Sequence, residues 1–371
     1  MNLYQEKGTK AIQDKIRNAF HAIFEDEQTR FYFDGPDDDC GYMLDTGNVD
    51  ARTEGMSYGM MMAVQMDRQD LFDRLWCFSV RYMLHTEGIY EGYFAWSVKP
   101  DGTHNAEGPA PDGEEYFAMA LLFAENRWGG REAPYNYGQQ GRTILRHCLH
   151  QAEMIPGGSA MWSPDRLIRF IPETDNSDPS YHLPHFYDLF ALWADEDDRA
   201  LWAEIAAQSR RYLYRACHPL TGLAAEYAKA DGTPIHQFRK DMDFYSDAYR
   251  VAMNIGLDSA WNGPTDEECV IAQHIQKTLL DHPELMEEKT CMIDGTPVDV
   301  PVMHPLGLLA TIAAASLACP DSPVRQAWLE TLWNAQPREG KRRYYDNCLY
   351  FFSLLMLTGE YRVWRPERTA F

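Results

Sequence analysis

Six segments of this chain are apolar around the whole circumference of a predicted helix, and this feature restricts the fold most. They read as nearly continuous apolar runs, such as GMSYGMMMAV, YFAMALLFA and CLYFFSLLML. A helix without a polar face has to be buried on all sides, so other elements must surround each of these segments. The six segments span roughly 54–66, 113–127, 180–194, 244–256, 304–318 and 342–357.

The segments between them are amphipathic. Charged and apolar residues recur there at helical spacing, as in KAIQDKIRNAFHAIF and RALWAEIAAQSRRYL. Six buried helices that alternate with six amphipathic ones predict an all-α (α/α)6 barrel, in which an outer ring covers an inner ring. An irregular helical domain or a solenoid would not need this alternation. No composition shift divides the chain, so we expect one domain over residues 1–371. The outer helices are predicted at roughly 6–25, 68–85, 139–154, 199–216, 265–281 and 323–336.

The charge and the cysteine pattern restrict partners and location. The chain has 34 basic and 56 acidic residues and a net charge of −22, which repels nucleic acids and anionic membranes. No run approaches the roughly 20 apolar residues that span a bilayer. The eight cysteines are scattered singly and are expected as reduced thiols. With no apolar stretch in MNLYQEKGTKAIQDKI to indicate a signal peptide, we expect a cytoplasmic protein. The sequence does not define its oligomeric state, and a monomer is the starting expectation.

Chemically reactive residues gather at the N-terminal ends of the predicted inner helices. Glu54, Asp112 and Asp247 each stand at such an end, and in this barrel those ends meet on one face. Aromatic and basic residues occur at or near the same ends, a composition typical of a carbohydrate cleft. No HExxH, Cys/His ligand set, GxGxxG or P-loop pattern occurs, so neither a metal nor a nucleotide cofactor is expected. The further candidates for substrate binding are Trp96, Tyr181, Arg250, His304, Tyr344 and Tyr345.

Two of the carboxyl groups suit the two roles that glycoside hydrolysis requires, a proton donor and a base or nucleophile. Glu54 precedes an apolar helix, where desolvation raises the pKa of a carboxyl and keeps it protonated. Asp247 stands near Arg250, which favours the ionised form that a base needs. However, carboxylates in a first helical turn also complement the helix dipole, and Asp112 with Glu115 matches the spacing of a capping box. Spacing alone leaves both interpretations open.

Three motifs resemble glycoside hydrolase family 8. RTEGMSYGMMMAV is similar to its acid-bearing helix, which has the form S/T-E-G-x-x-Y-G-M, while PDGEEYFAMALLFA and SDAYRVAMNI resemble its second acidic site and its base-bearing segment. The resemblance covers nearly the whole chain and implies an (α/α)6 barrel with an inverting mechanism. It implies that Glu54 is the general acid, Asp247 the general base, and Asp112 a residue that holds the sugar at the cleavage point. It also implies that Tyr181 orients the attacking water and that Arg250 braces Asp247.

A longer match, YFAWSVKPDGTHNAEGPAPDGEEYFAMALLFA, resembles the branch of this family that releases xylose from the reducing end of xylo-oligosaccharides. In that branch a loop that reads Leu-His-Pro, preceded by a histidine, closes the cleft. This chain has Val302 and Met303 before His304 and Pro305, so His304 either binds sugar or is a structural histidine at a helix start. An endo-acting family 8 xylanase or glucanase is one alternative function. A non-catalytic sugar-binding helical protein is another.

Overall fold

The computed structural model describes residues 1–236 and 243–366, which form twelve α-helices. The odd-numbered helices are α1 (Thr9–Phe24), α3 (Gln69–Tyr82), α5 (Tyr137–Met154), α7 (Arg199–Ala216), α9 (Asp266–Asp281) and α11 (Arg325–Asn334). The even-numbered helices are α2 (Thr53–Gln65), α4 (Pro111–Trp128), α6 (Pro184–Trp193), α8 (Arg250–Asn262), α10 (Pro305–Ala314) and α12 (Arg343–Thr358).

The even-numbered helices close into a ring. Each packs against the even-numbered helix before and after it, and α12 packs against α2. The odd-numbered helices lie outside this ring: α1 packs on α12, and α3, α5, α7, α9 and α11 pack on α2, α4, α6, α8 and α10 respectively. The predicted all-α (α/α)6 barrel is therefore confirmed.

Burial follows the two rings. Every residue from 344 to 358 on α12 is buried, whereas α1 buries one stripe of side chains and exposes the opposite face. Leu349, Phe351 and Phe352 are completely inaccessible to solvent, and burying each such side chain stabilises the fold by roughly 1.5–3 kcal/mol. The apolar character of the inner segments thus reflects their position between the barrel axis and the outer ring.

Two inner helices begin later than the sequence predicted. Helix α6 begins at Pro184 and α8 at Arg250, and short 3-10 turns precede them at Pro179–Tyr181 and Ser246–Tyr249. Proline disfavours a helical conformation in the residue before it, which keeps Leu183 out of α6. Ser246 has a φ of 25°, which no α-helix accommodates. Tyr181 and Asp247 therefore lie in tight turns ahead of the helices, and the predicted helix starts at 180 and 244 were wrong.

Short antiparallel strands, which the sequence did not predict, connect the helices on one side. Segments of two or three residues are too short to show an alternating pattern. In the three-stranded sheet one strand contains Arg52, and the strand paired with it begins directly after Trp96. The strands are β1 (Tyr32–Asp34), β2 (Gly41–Met43), β3 (Ala51–Arg52), β4 (Ser97–Val98), β5 (His104–Ala106), β6 (Thr290–Cys291) and β7 (Pro297–Val298).

The cysteines differ in one respect from the prediction. A disulfide joins Cys269 on α9 to Cys319, so the expectation of single reduced thiols is wrong for this pair. The two residues are 50 positions apart in sequence, and they meet only because α9 packs near the end of α10.

Among the helices of the described ranges, none has both the length and the apolar composition needed to cross a bilayer.

Candidate active site

The inner helices begin around a cavity of about 380 Å³. Eight of the nine predicted site residues line it, and the ninth, Arg250, lies beneath it with a side chain only 3% exposed. The structure thus brings together residues that are nearly 300 positions apart in sequence. The eight lining residues are Glu54, Trp96, Asp112, Tyr181, Asp247, His304, Tyr344 and Tyr345.

Glu54 lies in the first turn of α2, with its carboxyl group turned into the cavity. Tyr344 donates a hydrogen bond of 2.8 Å to Oε1, and Arg250 approaches Oε2 to 3.4 Å. Burial raises the pKa of Glu54 to about 8; the charge of Arg250 opposes this rise, and the charges of Asp112 and Asp247 add to it. Arg52, the residue at the start of α2, makes no side-chain cap. A pKa of about 8 favours the protonated form of Glu54 at neutral pH.

Arg250 connects the carboxyl groups of the site. Its Nη1 donates to Asp112 Oδ2 and to the Tyr58 hydroxyl, each at 2.9 Å, while its Nη2 lies 3.7 Å from Asp247. A buried guanidinium is stable only when it is paired in this way. The family resemblance implied that Arg250 braces Asp247, but its short contacts go to Asp112 and Tyr58. Burial raises the pKa of Asp112, and Arg250 acts against that rise.

Asp247 is more open to water than Glu54. Its side chain is 30% exposed, against 15% for Glu54. Its backbone N–H points toward Glu226 Oε1 at 3.4 Å, and Tyr345 donates over the same distance to the carbonyl of Ser246. The left-handed backbone of Ser246 turns the chain sharply immediately before Asp247, a strained geometry that the surrounding contacts maintain. The two carboxyl groups therefore differ in environment, as an acid and a base must.

Tyr181 contacts Arg250 and also Tyr187, a residue that the sequence did not assign to the site. The Arg250 guanidinium lies 5.5 Å from the centre of its ring, and its backbone carbonyl accepts a hydrogen bond of 3.0 Å from Tyr187. Burial raises the pKa of Glu115 well above its ordinary value. The Tyr187 hydroxyl is also in hydrogen-bond contact with Glu115 Oε1, and this contact opposes the rise in the pKa of Glu115. Glu115 supports the site in this way and does not complete a capping box with Asp112.

A second wall of the cavity comes from loops. Arg52 places its guanidinium 5.2 Å from the Trp96 ring centre and pairs with Asp50 at 3.1 Å and Asp45 at 3.4 Å. Sequence patterns did not identify these loop residues, because nothing in their spacing marks them. Tyr58 was missed for another reason: it stands within an apolar helix and reads as core. The further lining residues absent from the prediction are Asp45, Asn48, Arg52, Thr53, Ala110, Glu226, Tyr227, Ser246, Met303 and Arg342.

His304 lines the cavity. Its Nδ1 lies 2.9 Å from Asp346 Oδ2, and its ring packs edge-on against Tyr345 with 4.9 Å between ring centres. Although His304 directly precedes α10, its side chain forms no cap on that helix. The position is consistent with a role toward the cavity, and the alternative of a capping histidine finds no hydrogen bond to support it.

The groups of side chains that could together bind a metal ion lie away from this cavity. His182 is hydrogen-bonded to Ser177 and Ser209, and burial lowers its pKa to about 3. Within the described ranges, two groups of His, Cys, Asp or Glu approach closely enough to share an ion, and neither lines the cavity. These groups are Asp39, Cys40 and Cys77, and His85, His104 and Glu107.

A family model described as "Glycosyl hydrolases family 8" matches residues 39–359. The chain belongs to glycoside hydrolase family 8. It is similar over 99% of its length, at 52% identity, to a reducing end xylose-releasing exo-oligoxylanase of Halalkalibacterium halodurans, of which it covers 95%. It is 54% identical to Rex8A of Paenibacillus barcinonensis, a protein with the same description, over 98% of this chain and 96% of that relative. Similarity to family 8 endoglucanases is lower, at 26% identity with endoglucanase 2 of Ruminiclostridium josui over 85% of this chain and 65% of that protein.

Solved structures of family 8 enzymes superimpose closely on this chain. A reducing-end-xylose releasing exo-oligoxylanase complexed with xylose matches with a TM-score of 0.95 and 51% identity, over 99% of this chain and 98% of that one. A mutant of such an enzyme complexed with xylobiose matches with the same TM-score and identity, over 98% and 97% of the two chains.

Proposed function

We propose that this family 8 enzyme hydrolyses short xylo-oligosaccharides, releases xylose from their reducing end and inverts the configuration at the cleaved carbon. The relatives at 52–54% identity carry the description of this activity. The observation that carries the proposal is the pairing of Glu54, whose pKa burial raises to about 8, with the more exposed Asp247 across one guanidinium, that of Arg250.

In the proposed reaction Glu54 donates its proton to the glycosidic oxygen as the bond to the anomeric carbon breaks. On the opposite face, Asp247 accepts a proton from a water molecule whose oxygen attacks the same carbon. Glu54 ends the reaction ionised and Asp247 protonated, and exchange with solvent restores both. Glu54 Oε2 lies 3.4 Å from one terminal nitrogen of Arg250, and Asp247 Oδ2 lies 3.7 Å from the other. These two contacts mean that the two carboxyl oxygens are no farther apart than the upper end of the roughly 6.5–9.5 Å that separates the carboxyl groups of inverting enzymes.

The other predicted residues take positioning roles in this proposal. Asp112 binds hydroxyls of the sugar at the cleavage point, and Tyr181, anchored through its carbonyl, orients the attacking water. Trp96 and Tyr345 offer aromatic surface to the sugar faces, a contact supported by their place in the cavity wall. Tyr344 holds Glu54 in its reactive orientation.

Further predictions concern the molecule as a whole. We propose that residues 1–371 form one catalytic domain, supported by the closed helical ring and by a backbone hydrogen bond of 2.7 Å from Leu3 to Leu357. A neutral sugar partner suits the net charge of −22, which disfavours nucleic acids. No metal or other cofactor takes part in the proposed reaction. The monomeric state and the cytoplasmic location stay predictions, to be tested by light scattering and by cell fractionation.

The experiment that tests the direction of attack uses xylotriose with tritium at C1 of its reducing-end unit. We expect the label to appear first in free xylose, with unlabelled xylobiose as the second product. An endo-acting enzyme, or one that attacks the other end, would leave the label in xylobiose. A protein that only binds sugar would release no label at all.

A further inference from the structure

Part of the cavity wall is a segment without regular structure. Met303 and His304 line the cavity in the stretch between β7 and α10. Nearby, the backbone N–H of Val302 donates to Glu287 at 3.1 Å. A segment of this kind holds one position only if other groups fix it.

Arg338 is one of the groups that fix this segment. Its Nη1 donates to the carbonyl of Met303 at 2.7 Å and to Asp346 Oδ2 at 2.5 Å. Its own backbone is anchored by Asn347, whose side chain accepts from the Arg338 N–H at 2.7 Å and donates to the Arg338 carbonyl at 2.9 Å. One guanidinium nitrogen therefore ties the Met303 backbone to α12.

Asp346 completes the connection from within α12. Its side chain is fully inaccessible to solvent, its Oδ1 accepts from the Gly307 N–H at 2.8 Å, and its Oδ2 accepts from His304 Nδ1 at 2.9 Å. Hydrogen bonds to a charged acceptor are stronger and more directional than neutral ones. The carboxylate thereby fixes the His304 ring, so that Nε2 is the nitrogen left to accept a hydrogen bond from a sugar hydroxyl.

The fixed segment and the acid both contact the start of α12. His304 packs on Tyr345, and the adjacent residue Tyr344 donates to Glu54. In the proposed reaction the sugar beyond the protonated oxygen is the leaving group, and a rigid wall on its side would stop the chain from extending further.

We propose that Arg338 and Asp346 are specificity-determining positioning residues: they hold Met303–His304 as the end wall of the cavity and thereby restrict cleavage to the last bond at the reducing end. This inference rests on the proposed function. Neither Arg338 nor Asp346 lines the cavity, so this pair of residues, the Arg338–Asp346 clamp, lies outside the sugar-binding surface.

The test compares Arg338→Met, Asp346→Asn and Arg338→Lys with the unaltered enzyme on xylotetraose tritiated at C1 of the reducing end. Methionine keeps the length of the side chain but removes both donors, whereas lysine keeps a donor. We expect Arg338→Met and Asp346→Asn to release about a tenth or more of the label as xylobiose. We also expect kcat/KM for xylobiose to fall about tenfold, mainly through KM. Arg338→Lys should restore most of the release of labelled xylose.

Arg146→Met is the matched control, because Arg146 also pairs with a carboxylate, that of Asp195, but on the outer helix α5. It should release the label only as xylose. The proposed role of Arg338 and Asp346 is contradicted if Arg338→Met also releases the label only as xylose and has an unchanged KM for xylobiose. If Arg338→Met fails to fold, as judged by circular dichroism, Arg338→Gln replaces it and the same two results decide. Labelled xylobiose as the main product of the unaltered enzyme would instead contradict the proposed function.

Discussion

Tyr344, on the last inner helix, donates a hydrogen bond of 2.8 Å to Glu54, on the first inner helix. The two residues are 290 positions apart, so the contact exists only because α12 closes the ring against α2. Gly55 makes room for it, since a Cβ at that position would lie 2.5 Å from the Tyr344 hydroxyl oxygen. The closure of the barrel therefore assembles the environment of the proposed acid.

Removing this hydrogen bond should change the pKa of Glu54 in a defined direction. The Tyr344 hydroxyl favours the ionised carboxyl and lowers its pKa. In Tyr344→Phe the pKa should rise by about one unit, given the 1.5–3 kcal/mol typical of hydrogen bonds to charged groups. The alkaline limb of kcat/KM should then move to higher pH while kcat falls because Glu54 is less well oriented. Steady-state rates from pH 5 to 10 measure this, and a limb displaced to lower pH would refute it.

The unaltered enzyme should lose activity as the pH rises through about 8, where Glu54 loses its proton. Only the protonated form can donate to the glycosidic oxygen. On aryl xylosides with good leaving groups, which need little proton donation, the same limb should be weaker. If both substrate types show equal alkaline limbs, Glu54 positions the substrate instead of protonating it.

The raised pKa also predicts how stability depends on pH. Burial raises the pKa of Glu54 from its ordinary value of 4.5 to about 8, so between these values the folded state binds a proton that the unfolded state lacks. The free energy of unfolding should therefore decrease as the pH rises through this interval. Glu54→Gln removes the titration and should raise the Tm relative to the unaltered enzyme at pH 8 but much less at pH 5. Calorimetry at both pH values tests this, and equal differences at the two would contradict it.

The close approach of α2 and α4 offers a test of how the site is positioned. A Cβ on Gly113 would lie 2.4 Å from Thr53 Cβ, so Gly113→Ala must separate the starts of the two helices. Overpacking of this kind costs about 1–3 kcal/mol, and it should also move Asp112 away from Arg250 and lower kcat/KM. Gly108→Ala is the control, because its nearest neighbour, the Tyr90 hydroxyl, lies 3.7 Å away. Thermal melting and initial rates of both variants measure the effect, and matching losses would refute the argument.

The periodicity of apolar residues was sufficient to predict the barrel. An inner ring of helices that is buried on all sides requires six segments that are apolar around their whole circumference, and such segments are unusual. Periodicity was not sufficient to predict which groups meet inside the barrel. Tyr58 reads as core, yet its hydroxyl accepts from Arg250. Asp346 stands among aromatic residues and gives no sign of its contacts with Arg338 and His304. Such pairs depend on how the inner helices are rotated in the ring, and rotation leaves no pattern in a single sequence.

The turns that carry Tyr181 and Asp247 were also beyond the sequence patterns. Both sit in 3-10 turns: Pro184 follows the turn that carries Tyr181, and Ser246, with a φ of 25°, begins the turn that carries Asp247. The family motifs nevertheless led to these residues, because motif matching identifies residue types and needs no helix boundary.

The proposed pairing of Glu54 and Asp247 is tested most directly by the configuration of the product. Proton NMR during the hydrolysis of xylotriose resolves the two anomers of the newly formed reducing end before they equilibrate. Because a water molecule activated by Asp247 attacks the face opposite the leaving group, the β-linkage should yield the α-anomer of xylobiose first. The β-anomer as the first product would mean retention, and would contradict the acid and base roles proposed here.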